Sequence, residues 1–160
     1  MNEAEARAAA KCLEIDVDFY RELYVFLMKK HTKILADDIA WLSDALNDEQ
    51  AYLMKSRTLE EKRLALFKGL GIEGKKLSEV IEQSPAEYKA KLKSLAAQLT
   101  ELVDNITRIN AESEELVKRK LDNQREFVKK AGILDKPETY DKKAAKVAGG
   151  TPSAKVIRQV

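Results

Sequence analysis

Residues 84–128 read SPAEYKAKLKSLAAQLTELVDNITRINAESEELVKRKLDNQREFV, and this stretch decides the fold. Tyr88, Leu92, Leu95, Leu99, Leu102, Ile106, Ile109, Ser113 and Leu116 follow one another in alternating steps of four and three. That spacing keeps one face of an α-helix in line and defines a heptad seam. At its start, Ser84 reads as the N-cap, Pro85 as the first helical residue and Glu87 as the partner that completes a capping box. After Leu116 the seam shifts by one residue, to Val117, Leu121, Gln124 and Val128. The shift turns the apolar face around the helix. Gly132 reads as the C-terminal cap. A helix over residues 85–131 is a rod of roughly 70 Å at 1.5 Å per residue. It cannot bury its stripe on itself. The expected fold is therefore all-α, an elongated antiparallel helical bundle or coiled coil.

Working outward, residues 1–68 contain neither Gly nor Pro. One stripe runs Leu13, Val17, Tyr20, Tyr24, Leu27, Ile34, Trp41 and Ala45, and a second runs Met28, Leu35, Ile39, Leu42, Leu46 and Leu53. Two adjacent stripes make an apolar face wide enough for more than one neighbour. The reading is a long helical segment over about residues 3–68. Asn47-Asp48-Glu49 suits a bend, or a stop with a fresh N-cap, near residues 46–49, with one straight helix as the alternative. Residues 69–76, GLGIEGKK, contain Gly-x-Gly-x-x-Gly. A dinucleotide loop needs a strand before it, and here a charged helix precedes, so the stretch reads as a helix–helix turn. Gly69 or Gly71 takes the left-handed cap position. Residues 75–83 read as a short helix. Residues 1–132 then form one helical domain. Residues 133–160, broken by Pro137, Gly149-Gly150 and Pro152, read as a flexible basic tail.

Composition narrows the chemistry. Cys12 and His31 are the single cysteine and histidine in 160 residues. An intramolecular disulfide and a cysteine or multi-histidine metal site are excluded, and no cofactor is expected. No run approaches ~18 apolar residues and the N-terminus is charged, so no membrane insertion and a cytoplasmic location are expected. Acid pairs such as Asp37-Asp38, Glu60-Glu61 and Glu114-Glu115 point apart on a helix, and no nucleophile sits with a base. The chain reads as no enzyme, with no small-molecule substrate. Residues 1–117 sum to −5 and residues 118–160 to +7. The basic cluster at Lys118-Arg119-Lys120 has acids interleaved and no stacking aromatics beside it, so nucleic acid is not the expected partner. What remains is helix binding. Asn110, Ser113, Leu116, Val117, Leu121, Gln124 and Val128, around the seam shift, are the candidate contacts for an amphipathic partner helix. The same stripe also suits intramolecular core or a homodimer seam.

Several features follow one another in a recognisable order. Leu59-Glu60-Glu61-Lys62-Arg63-Leu64 comes after the long N-terminal helix, and Leu70-Gly71-Ile72 makes a turn. Ile109-Asn110 and Leu116-Val117 lie on the C-terminal helix, and Thr139-Tyr140-Asp141 in the tail. In this the chain resembles the FlgN family, cytosolic export chaperones for the flagellar hook–filament junction proteins, over roughly residues 20–145. The resemblance implies a non-enzymatic type III flagellar export chaperone. Such a protein covers the amphipathic terminal helices of hook-associated junction proteins and delivers them to the export gate. It also implies Tyr140 as the contact to the gate's cytoplasmic domain. The alternative is a structural coiled-coil or adaptor protein of a larger assembly, without chaperone activity.

Overall fold

The structure, a computed structural model, describes residues 1–132. These form four helices: α1 (Glu3–Leu35), α2 (Ile39–Gly69), α3 (Leu77–Glu82) and α4 (Ala86–Lys130). Asn2 and Glu5 open α1 with a reciprocal capping box. The Glu5 amide donates to Asn2 Oδ1 at 2.9 Å, and the Asn2 amide donates to Glu5 Oε2 at 2.8 Å.

The long first segment is two helices, and the break lies at residues 36–38 rather than 46–49. Asp37 adopts φ +54°, a left-handed conformation that Asp tolerates better than most residues. The Asp37 amide donates to Ile34 O and the Asp38 amide to Lys33 O, the bond pair of a Schellman ending with Asp where Gly is usual. Asp38 then starts α2, its Oδ1 accepting from the Trp41 amide at 3.1 Å. Helix α2 runs unbroken through Asn47-Asp48-Glu49. The intrinsic cost of Asn and Asp in a helix is only about 0.7 kcal/mol each. Both side chains are exposed here, and Glu49 turns inward to Lys30.

The glycine-rich stretch is the expected helix–helix turn. Gly71 takes φ +67°, the Ile72 amide donates to Phe67 O, and Ile72 is buried. Helix α4 starts without the expected capping box. The Ser84 hydroxyl donates to Val80 O at 2.8 Å, closing α3 instead, and α4 has no side-chain cap bond. Pro85, which has no amide hydrogen to satisfy, occupies the cap position.

Two reversals precede α4, so it runs parallel to α1. Their contacts advance together: Arg7 with Tyr88, Glu14 with Lys91, Arg21 with Gln98, His31 with Ser113, Asp37 with Lys120. Helix α2 is antiparallel to α1, with Asp16 against Arg63 and Lys30 against Glu49. Helix α1 is thus central. It packs most extensively on α4 and next on α2, whereas the α2 and α4 backbones scarcely approach. The heptad seam is core: Leu92, Leu95, Leu99, Ile106, Ser113 and Leu116 are buried, and Tyr88, Leu102 and Ile109 partly so. The second stripe expected on the first segment does not hold. Met28 and Leu35 before the turn at Asp37 and Ile39 after it are 39–54% exposed, and of this stripe only Leu42 is buried. Helix α1 meets α2 instead through Phe19, Phe26, Asp16 and Lys30.

Candidate partner-helix interface

Helix α4 outlasts the helix it packs on. Lys120 Nζ ties it to the α1–α2 turn, 2.7 Å from Asp37 Oδ1 and 3.3 Å from Leu35 O. Beside this tie a second apolar cluster joins Ile34 of α1, Leu42 of α2, and Leu116 and Val117 of α4, with Trp41 and Leu121 packed against it. Beyond Leu121, α4 continues for nine residues, a projection of about 13 Å. From Asp122 to Lys130 every residue except the half-buried Val128 is exposed.

The structure divides the seven candidate contacts. Ser113 is 4% exposed, and its Oγ lies 2.9 Å from His31 Nδ1 of α1. Leu116 and Val117 belong to the second cluster, and Asn110 is half-buried on the stretch of α4 alongside α1. Those four lie within the protein's own bundle. Leu121 is half-buried at its edge, Gln124 is exposed and Val128 is half-buried on the projection. The reading of the seam missed Phe127, an aromatic left 67% exposed one position from Val128. It stands off the seam spacing. The signal that could have found it is an unpaired aromatic at a flanking heptad position.

The charged groups here are held by ordinary surface pairs, Lys118 with Glu114 at 3.5 Å and Arg125 with Asp122 at 3.9 Å. Nothing at this end resembles a catalytic arrangement. Cys12 lies at the other end of α1, and burial, with Asp16 beside it, pushes its thiol up to about 11. It is therefore a thiol, not a nucleophilic thiolate, at neutral pH. Among the described residues no cluster of His, Cys, Asp and Glu is arranged to hold a metal. Among them, too, no helix is long and apolar enough to cross a membrane.

The FlgN protein family model matches residues 1–148. The chain belongs to the FlgN family. Membership supports a flagellar export chaperone role in general terms, and that family is one of chaperones rather than enzymes. No curated protein and no solved structure is similar enough to the chain to count as a match. Two elements that carried the resemblance have structural duties in this FlgN chain. Gly71 closes α2, and Arg63 forms a buried ion pair with Asp16 at 2.7 Å. Tyr140, the expected gate contact, lies outside the described residues, as does the 133–160 tail.

Proposed function

We propose that this FlgN protein acts in the cytoplasm, binds the amphipathic terminal helices of hook-associated junction proteins on the projecting end of α4, and delivers them to the export gate. The observation that carries this reading is the length mismatch. Helix α4 keeps an apolar edge at Leu121, Phe127 and Val128 beyond the point where α1 turns away. An amphipathic helix that aggregates when free is stabilised by laying its apolar face on such an edge. The client contacts are then Leu121, Gln124, Val128 and Phe127, with Asn110, Ser113, Leu116 and Val117 supporting them from within the bundle. Tyr140 is the proposed anchor on the gate's cytoplasmic domain. One buried tyrosine contributes about 2 kcal/mol, a ~30-fold change in affinity. A self-assembling structural coiled coil would use the 88–116 seam, and α1 already fills it.

The test is titration with a purified junction protein. Leu121→Asp and Val128→Asp are expected to weaken binding at least tenfold, at about 1.4 kcal/mol per factor of ten, with helicity and melting retained. Leu95→Asp and Leu102→Asp are expected to unfold the bundle. Tyr140→Ala is expected to leave client binding intact and weaken binding to the gate domain. Client affinity unchanged in the first two variants, or all four unfolding together, would remove the projection from the mechanism.

A further inference from the structure

The projection has two edges, and their chemistry differs from that of its back. Val117, Leu121, Gln124 and Val128 occupy a and d positions of the shifted heptad. One e or g edge then holds Lys118 and Arg125, with Lys129 next to them, and the other holds Lys120 and Phe127. Glu126 stands at f, opposite the seam, and Asp122 sits at b, behind Arg125. Every charge that flanks the seam is therefore a cation. Residues 118–132 carry six Lys and Arg against two acids, on a body of the opposite sign. Lys118 and Arg125 make exposed pairs with Glu114 and Asp122 of their own helix, which a partner's acids can exchange with, and Lys120 is matched by Asp37 of the turn. The uncovered length begins where that match ends.

Resting on the client reading above, we infer that the partner helix carries Asp and Glu along the flanks of its apolar seam and takes up, past the α1–α2 turn, the line that α1 holds before it. Its apolar residues cover Leu121 and Val128. Its acids meet Lys118 and Arg125, as e and g charges do in a paired coiled coil. Phe127 is the aromatic anchor of the second edge. The partner's end abuts the turn, where Leu35 and Ile39 are 54% and 47% exposed. The uncovered α4 surface is about three turns long, so a short helical segment suffices.

The probe is the terminal segment of a hook-associated junction protein, in its own sequence and with its acids replaced by amides. Binding is measured to the full chain at low and moderate salt. The double reversal Lys118→Glu/Arg125→Glu is expected to weaken the native segment about tenfold and to flatten its salt dependence. Phe127→Ala is expected to weaken it by about tenfold or more. Glu126→Lys, a charge change of opposite sign on the back, is expected to leave affinity within about twofold. The amide segment is expected to bind parent and double reversal alike. Circular dichroism checks that each variant is folded. If Leu121→Asp abolishes binding while the double reversal changes nothing, the acidic flank is wrong and the client reading stands. If Glu126→Lys shifts affinity as much as the double reversal does, a diffuse field acts rather than the edge, and the proposal falls. If Leu121→Asp binds as the parent does, the client reading and this inference fall together.

Discussion

The two faces of α1 are built from different materials. Toward α4 it presents Leu13, Val17 and Leu27 to the leucine and isoleucine seam, where His31 to Ser113 is a polar contact within the seam and Arg7 to Tyr88 and Arg21 to Gln98 lie at the edges. Toward α2 it presents aromatic rings and charge. Phe19, Tyr52, Phe26 and Trp41 form a chain of tilted rings with centroids 5.0–6.1 Å apart. Lys30 Nζ lies 2.8 Å from Glu49 Oε1 with both side chains almost wholly buried, and Arg63 Nη1 donates to Asp16 Oδ2 at 2.7 Å. The Lys30–Glu49 pair is closed off from solvent, and Ser56 is buried beside Tyr20 on the same face. Burial pushes the Glu49 and Asp16 carboxyls up and the Lys30 ammonium down, and outweighs the attraction of their partners. The difference teaches a division of labour. The apolar seam supplies the stabilising free energy. The charged face sets how α2 aligns on α1, because a shifted α2 would strand buried charges.

Three measurements would break or sharpen that contrast, and the largest effect comes from single substitutions. Leu99→Ala, at a position with no exposure, is expected to cost about 2–5 kcal/mol through lost burial and a cavity. Glu49→Leu alone is expected to cost about 3–5 kcal/mol, since it leaves Lys30 buried and unpaired. The double variant Lys30→Met/Glu49→Leu is expected to return to within about 1 kcal/mol of the parent or to exceed it. Urea unfolding of the four proteins decides. A double variant as unstable as the single would make the pair a net source of stability and erase the contrast.

The next effect is the pH dependence of that same pair. Burial raises the folded pKa of Glu49 above its ordinary value of 4.5, so the folded state takes up its proton first as pH falls. The penalty for burying its charge is complete above the folded value. It fades as pH drops through the folded value and is gone below the unfolded value of about 4.5. Lys30 has a lowered folded pKa, and its penalty fades only as pH rises through the alkaline range. The stability difference, double variant minus parent, is therefore expected to shrink between neutral pH and about pH 4.5. Denaturation midpoints across that range measure it, and a difference that grows on acidification would contradict burial as the dominant force.

The same contrast explains what could be read in the sequence. The seam was legible because one helix facing one neighbour keeps a strict period from Tyr88 to Leu116. The charged face was not. Arg63 lies in LEEKRL and Glu49 in NDEQ, stretches that look solvated, and only the pairing with α1 turns them inward. The turn was hidden because its left-handed residue is Asp37, with no glycine to mark it. Helical steps summed across it joined Leu35 to Leu42 in a stripe that does not exist in space. The candidate site was half legible. The shifted heptad pointed to Leu121 and Val128, but where α1 stops decides which of its residues stay uncovered.

The smallest expected effect compares the turn that forms with the break that does not. Asp38 accepts from the Trp41 amide and from Lys33 Nζ at 2.8 Å, and those two bonds hold its carboxyl below the usual carboxylate range. Removing the side chain leaves a first-turn amide without its acceptor, the usual consequence of losing an N-cap. Asp38→Ala is expected to lower the melting temperature by about 2–4 °C. Asn47 is an exposed residue in the middle of α2, where alanine is the better helix former. Asn47→Ala is expected to raise the melting temperature by about 1–2 °C. The two signs are the test, and thermal melts followed by circular dichroism read both. A chain that broke at residues 46–49 would lose stability at Asn47 and be indifferent at Asp38. Trp41 fluorescence adds a local reading, since the indole sits one turn into α2 against Phe26 and beneath Lys29 and Lys33. Its emission is expected to change in Asp38→Ala and to stay as in the parent in Asn47→Ala, because only the first substitution loosens the turn that positions it.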